Sequence, residues 1–231
     1  VLAQTPQEQT LRIEINGILA GGVRAIPDAP RELAVGWAFV HGFISRPEAL
    51  GRVSQAGDHI AIMVEGGADL EQLREEAAGW VPARPIPAPR PRREDPLRIS
   101  TEELIRLTAE AFRQFRKDGA VAGFLHAAVA SATSVHCIAR DLTAATAVAK
   151  VLGWALLERR HGACRALVVR GMPDRTTVEA AGRCGVELVI SDAIPTSAAA
   201  RAAMRLGMTM VGMATSRRLG LFVDGGHVVD N

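Results

Sequence analysis

ALVVRGMPDRTTVEAAGRCGVELVISDAIPTSAAARAAMRLGMTMVG, residues 166–212, is the stretch that decides the fold. It holds three short apolar runs, Ala166–Val169, Val186–Ile190 and Met208–Gly212, with two segments between them. Asp174 can cap the first segment, which stops near Gly185. Thr196 can cap the second, which ends at Gly207, because a short side-chain oxygen accepts a free N–H at a helix start and glycine closes a helix end. Strand–helix–strand–helix–strand with apolar strands implies a mostly parallel sheet covered by helices. Leu221–Val223 fits a fourth strand. Ligands of such sheets bind outside the carboxyl ends of the strands. That edge would collect Arg170-Gly171, Ser191-Asp192 and Thr215-Ser216-Arg217-Arg218, with helix N-termini at Asp174 and Thr196 opening toward it. Free N–H groups and the helix dipole favour anions there. Adjacent Arg217 and Arg218 suit phosphate, and the same pair reads equally well as two solvated arginines in a turn.

Working upstream, residues 142–161 predict a helix with Asp141 as N-cap and Gly162 beyond its end. Residues 121–130 form a short stretch rich in small side chains. Ser100-Thr101-Glu102-Glu103 is a capping box, followed by an apolar face of Leu104, Ile105, Leu107, Ala111, Phe112 and Phe115. Trp80–Pro96 holds six of the twelve prolines together with Arg84, Arg90, Arg92 and Arg93. Proline stiffens and extends a chain, so this segment reads as a solubilised linker or surface arm. Residues 69–78 suggest a short charged helix and His59–Val64 a strand. Leu33, Ala34, Trp37, Ala38 and Val40 recur at helical spacing after the Pro27-Asp28-Ala29-Pro30 turn, and Gly42 can end that helix. Leu11, Ile13 and Ile15 alternate up to Asn16-Gly17, a hairpin signal because both turn positions accept positive φ. The expected organisation is an α/β protein: a small N-terminal α+β lobe over residues 8–80, a Pro/Arg-rich linker over 81–97, and a C-terminal α/β lobe over 98–231.

Composition narrows the function classes. The 231 residues are 48% apolar and 23% charged, ample for a core, with a formal charge of only +2. Such a balance predicts neither nucleic-acid nor membrane-surface binding, and 4% aromatics without tyrosine argues against base-stacking platforms. No run reaches the roughly 18–20 apolar residues of a membrane span, and no signal peptide opens the chain. Three scattered cysteines, Cys137, Cys164 and Cys184, fit neither a disulfide framework nor a zinc knuckle. The expectation is a cytoplasmic protein.

The chemical candidates are few. His126-Ala127-Ala128 lacks the glutamate of a zinc deaminase, and no Cys-x-x-Cys follows. A Cys–His nucleophile pair would join Cys137 to His126 or His136. Strand neighbours face opposite ways, so His136 and Cys137 do not meet, and a buried structural cysteine is the favoured reading. Cys164 and Cys184, beside helix ends, are candidates for exposure. No Walker or Rossmann glycine fingerprint appears; Gly21-Gly22 and Gly66-Gly67 read as turns.

These residues have an order that resembles the formate dehydrogenase accessory sulfurtransferase family (FdhD-like proteins) over nearly the whole chain. The N-terminal match is Ile13-Glu14-Ile15-Asn16-Gly17, Pro27, Glu32-Leu33-Ala34-Val35-Gly36 and His41-Gly42-Phe43-Ile44. Further on, His126-Ala127-Ala128 is similar to the family's His-Ala-Ala. Asp141, Ala147, Val148, Lys150 and Gly153 keep the frame of its central motif. Cys184-Gly185-Val186-Glu187, Pro195-Thr196 and Met208–Gly212 follow in order.

The resemblance implies a C-terminal lobe like the cytidine deaminase fold. It also implies a role in carrying sulfur from a cysteine desulfurase to the bis-molybdopterin guanine dinucleotide cofactor of formate dehydrogenase. That cofactor would be held by its guanine nucleotide ends, with GDP as a partial mimic, commonly by a homodimer. The family's cofactor-binding segment falls on Met213, Ala214, Thr215, Ser216, Arg217 and Arg218. His126, Asp141, Lys150, Pro195 and Thr196 would shape the pocket. The departures are specific. The family's sulfur-carrying Cys-Gly-x-Cys-Gly loop corresponds to residues 79–87, which hold no cysteine, and Thr143-Ala144-Ala145-Thr146 replaces its Gly-Arg-His-Asn. Arg170-Gly171-Met172-Pro173 stands where the family has a serine/arginine-rich strand end. A thiolate must carry the sulfur. The expectation is therefore a cofactor-binding accessory protein that assists insertion into the formate dehydrogenase catalytic subunit without sulfurtransferase activity. The alternatives are sulfur transfer through Cys137, Cys164 or Cys184, and a structural subunit of the dehydrogenase complex.

Overall fold

The computed structural model describes residues 6–65, 94–118, 123–215 and 217–229. The expected charged helix at 69–78, the turn at Gly66-Gly67, most of the proline arm and Ser216 lie outside the described residues. Strands β1 (Gln9–Ile15) and β2 (Ile18–Ala25) form the expected hairpin. Asn16 and Gly17 take φ of 48° and 84°, which that turn requires. The Asn16 side chain adds a long-range tie: Oδ1 accepts from Val64 N–H at 2.8 Å and Nδ2 donates to Val64 C=O at 3.2 Å. Val64 closes β4 (His59–Val64), which runs parallel to β1 and antiparallel to β3 (Leu50–Ala56). The order of this first sheet is β2-β1-β4-β3. Its buried face receives helix α1 (Pro30–Val40), which starts on a proline after Ala29, itself held in the left-handed region at φ 48°.

A two-residue strand β5 (Ile99–Ser100) leads into α2 (Thr101–Asp118) through the expected capping box. Ser100 N–H donates to Glu103 Oε2 at 2.8 Å, and Glu103 N–H returns a bond to Ser100 Oγ at 3.2 Å. Then come β6 (Leu125–Ala130), β7 (Val135–Asp141), α3 (Ala144–Leu157), β8 (Ala166–Val169), α4 (Arg175–Arg183), β9 (Leu188–Ser191), α5 (Ser197–Leu206), β10 (Thr209–Gly212), β11 (Gly220–Val223) and β12 (Val228–Val229), which pairs with β5.

The second sheet has the order β11-β10-β9-β8-β6-β7. Strands β7, β8, β9 and β10 run one way, while β6 and β11 oppose them, so only the β8–β9 and β9–β10 neighbours are parallel. The α/β class stands, but the sheet is mixed: β6 enters between β7 and β8 because the turn at Ser131–Ser134 folds β6 and β7 into a hairpin. A second correction concerns the start of α3. Thr143, not Asp141, is its N-cap: Thr143 Oγ1 accepts from Thr146 N–H at 3.1 Å. The helix also ends at Leu157, earlier than the expected boundary near His161.

Helices cover both faces of this sheet. On one face Ala127, Val129, Leu167, Val169, Val189 and Met210 pack under α3, α4 and α5. The same cluster continues through α1 to Ile13, Ile15, Ile60 and Ile62, so one core joins the two sheets. Helix α2 covers the other face, with Leu104, Leu107, Ala111, Phe112 and Phe115 against Ala128, Val168, Ile190 and Val211. The α1–α3 contact brings two backbones together. A Cβ on Gly36 would collide with the carbonyl of Ala149, and one on Gly153 with the carbonyl of Glu32. Glycine is required at both positions for space.

Candidate functional site

Strands β8, β9 and β10 end together at Val169, Ser191 and Gly212, and the loops beyond them are laced into one layer. Ser191 Oγ donates to Gly171 C=O at 2.6 Å and accepts from Ala193 N–H at 3.0 Å. Gly171 N–H donates to Asp192 Oδ1 at 2.7 Å, and Met213 N–H to Ala193 C=O at 3.1 Å. Thr196 N–H reaches Pro173 C=O at 3.2 Å. Outside this layer stand the exposed side chains of Met172, Ile194 and Met213, one from each loop. Ala214 turns inward and joins the core under α2. Next to it Thr215 Oγ1 accepts from Arg217 N–H at 3.2 Å and Arg218 N–H at 2.9 Å, closing a tight turn that leaves both arginine side chains exposed. Neither has an ion-pair partner among the described residues. Arg170 does: its Nε lies 3.5 Å from Asp192 Oδ2.

Both expected caps at the edge are present. Asp174 accepts from Thr177 N–H at 2.8 Å and Thr196 from Ala199 N–H at 3.1 Å. The Asp174 carboxylate places negative charge at the start of α4. The neutral Thr196 hydroxyl leaves the α5 terminus better suited to an anion. Pro195 is buried immediately before it.

The remaining candidates lie at the far end of the same edge. Asp141 closes β7 and Lys150 stands on α3. Lys150 Nζ is 2.8 Å from Asp141 Oδ2, with the two side chains 1% and 0% exposed. It also bonds Asp28, which is half exposed, and donates to Arg140 C=O at 3.2 Å. Asp141 Oδ1 accepts from Leu142 N–H at 2.7 Å and from Ile26 N–H at 3.2 Å. Lys150 is thus committed to protein partners and pins the Pro27–Pro30 turn to the second sheet. His126 points to the opposite face, buried under α2 and stacked on Phe115 with centroids 5.2 Å apart. Four strand spacings separate β10 from β7, about 19 Å at ~4.8 Å per strand. Met213, Pro195 and Thr196 sit in the laced loops of β8, β9 and β10, and Thr215, Arg217 and Arg218 form the turn that follows Met213. Asp141 and Lys150 stand a sheet's width away, and His126 lies beneath. Sequence reasoning missed Asp28 and Ile26 because a Pro-Asp-Ala-Pro turn carries no sign of what it docks against. It missed Met172 and Ile194 because isolated apolar loop residues look like core.

The thiols sit elsewhere. Cys137 lies within β7 and packs into the main core, and Cys164 and Cys184 are buried at the amino end of the sheet, before β8 and after α4. Cys164 and Cys184, which could be exposed on sequence alone, are both sealed in the core. Burial pushes the Cys137 thiol up to about 12, reinforced by nearby Cys164 and Glu32. Burial likewise pushes Cys164 up to about 11, against a small opposing effect of Arg160. Neither is a thiolate near neutrality. Among the described residues no group of His, Cys, Asp and Glu is arranged to hold a metal ion, and no helix is long and apolar enough to cross a membrane.

Known proteins share this plan. The curated sulfur carrier protein FdhD of Methanothermobacter thermautotrophicus is 25% identical over 221 residues, 92% of this chain and 86% of that protein. A crystal structure from Desulfotalea psychrophila, described as a formate dehydrogenase accessory protein, superposes with a TM-score of 0.75 at 19% identity. It covers 96% of this chain and 90% of its own, which establishes a common fold. The family model described as FdhD/NarQ family matches residues 6–229. With that match running from β1 to β12, the chain belongs to the FdhD/NarQ family.

Proposed function

We propose that this protein is a formate dehydrogenase accessory protein. It binds the bis-molybdopterin guanine dinucleotide cofactor as cargo at the carboxyl edge of the second sheet and assists its insertion into the catalytic subunit, without carrying sulfur on a thiol of its own. The observation behind this reading is the separation of the thiols from the edge. Cys137 lies half-buried in the middle of edge strand β7, Cys164 and Cys184 lie buried at the sheet's amino end, and residues 79–87 contain no cysteine. The edge suits the cargo chemically. Arg217 and Arg218 offer exposed guanidinium groups to phosphate, the Thr196 helix start offers N–H groups, and Met172, Ile194 and Met213 offer apolar surface to a flat ring. The roughly 19 Å of edge accommodates an elongated molecule.

The relative from Methanothermobacter is named as a sulfur carrier. Transfer of that role to this chain is tested by incubating the protein with a cysteine desulfurase and cysteine, then assaying cyanide-labile sulfur. The reading predicts no protein-bound sulfur, and formate dehydrogenase maturation undiminished by a Cys137→Ala, Cys164→Ala, Cys184→Ala triple variant. Stoichiometric labile sulfur that the triple variant abolishes, together with maturation, contradicts it.

A further inference from the structure

The loops beyond β8, β9 and β10 carry two acids, Asp174 and Asp192. Asp174 is occupied as the cap of α4. Asp192 follows Ser191 at the end of β9, caps no helix and is exposed. Its Oδ1 accepts from Gly171 N–H at 2.7 Å, a bond from the β8 loop that fixes the direction of the carboxylate. Its Oδ2 lies 3.5 Å from Arg170 Nε, an ion pair longer than a hydrogen bond. A carboxylate has about four acceptor sites, so Asp192 keeps acceptor capacity that no other described residue uses. Its surroundings are apolar. Met172 follows Gly171 in the chain, Ile194 comes two residues after Asp192, and Met213 N–H is bonded to the C=O of Ala193 between them at 3.1 Å. All three of these apolar side chains are exposed. A flat heteroaromatic ring uses both features, apolar side chains against its plane and a fixed acceptor for N–H groups on its rim.

We propose that Asp192 selects guanine at this edge, its carboxylate accepting N1–H and the 2-amino group of the base side by side. The nucleobases differ on that rim. Guanine presents these two adjacent donors, whereas adenine and cytosine present a bare ring nitrogen at the matching place, an acceptor that a carboxylate repels. The assignment rests on the cofactor reading above and deepens it, from a nucleotide held by its phosphates to the base that the edge admits. The nucleotide then runs along the edge, its base over the β8 and β9 loops and its phosphates toward the turn after β10 that carries Arg217 and Arg218. That order sets the acid apart from the phosphates, and Arg170 offsets its charge.

Calorimetric titration of the full chain with GDP, ADP, CDP and xanthosine diphosphate tests the assignment. The unaltered protein is expected to bind GDP about 10-fold or more tightly than ADP or CDP, the discrimination a bidentate base contact supplies. Asp192→Asn keeps the shape and an acceptor for Gly171 N–H but turns the other oxygen into a donor. Xanthine carries an oxygen where guanine carries its 2-amino group. The variant is therefore expected to weaken GDP by about 10-fold or more and to prefer xanthosine diphosphate to GDP. Equal binding of GDP, ADP and CDP by the unaltered protein overturns the assignment while leaving the phosphate site standing, and that comparison needs no variant. An Asp192→Asn protein that still prefers GDP to xanthosine diphosphate overturns it as well. Binding of none of the four removes the cofactor reading, and the assignment with it.

Discussion

Lys150 and Asp141 form an ion pair from which water is excluded, Nζ to Oδ2 at 2.8 Å, and Asp28 completes it from the turn between β2 and α1. Two buried charges are held only because each satisfies the other and both find further hydrogen bonds. Lys150→Met leaves Asp141 charged, buried and unpaired. It is expected to lower the stability measured by urea unfolding by about 3–5 kcal/mol, the usual cost of breaking a buried pair from one side. Asp28→Asn, at a half-exposed position, is expected to cost under ~1 kcal/mol.

The α1–α3 crossing yields a second expectation. Gly36→Ala and Gly153→Ala each drive a methyl group into a backbone carbonyl of the facing helix. Backbone cannot rotate away as a side chain can, so each change forces the helices apart. The expected loss is about 1–3 kcal/mol or more by thermal or urea unfolding. Gly57→Ala, with open space around its Cβ but φ of +62°, tests strain alone and is expected to cost less.

The raised thiols set a pH dependence. In the unfolded chain a cysteine titrates near its ordinary value of 9.0, whereas folded Cys164 and Cys137 hold their protons to about 11 and about 12. Above pH 9 the unfolded state has released protons that the folded state keeps, so rising pH favours unfolding. The stability these neutral thiols contribute is intact below pH 9. It is expected to fall by up to about 1.4 kcal/mol per pH unit per thiol between pH 9 and 11. Cys137→Ala is expected to flatten that slope in unfolding curves, and native Cys137 and Cys164 to resist iodoacetamide at pH 7.5.

Much of this was legible locally. The apolar runs read at 166–169, 186–190 and 208–212, which the structure bounds at 166–169, 188–191 and 209–212, the caps Asp174 and Thr196, the Gly207 terminus and the capping box at Ser100 all rest on neighbours within four residues. Asp141 misled because two cap-forming residues stand two positions apart. Thr143 takes the cap once the Asp141 carboxylate is claimed by Ile26 N–H, 115 residues away, and by Lys150. Strand β3 gave no signal because it is a half-exposed edge with polar residues on both faces. The face chosen by His126 depends on β6 pairing between β7 and β8, a non-local arrangement no spacing encodes. The glycines at 36 and 153, matched to the family by order alone, acquire their reason only from the helix crossing.

The central claim is that the Arg217–Arg218 end of the edge holds the nucleotide phosphates of the cargo, and calorimetric titration with GDP tests it most directly. Saturable binding is predicted for the unaltered protein. Loss of one charged hydrogen-bonding partner is worth about 1.5–3 kcal/mol, so Arg217→Gln and Arg218→Gln are each predicted to weaken GDP about 10-fold or more and leave urea stability unchanged. The affinity is also predicted to fall with added salt. No heat of binding by either GDP or the isolated cofactor up to high micromolar concentration, or binding that both arginine variants retain in full, contradicts the account.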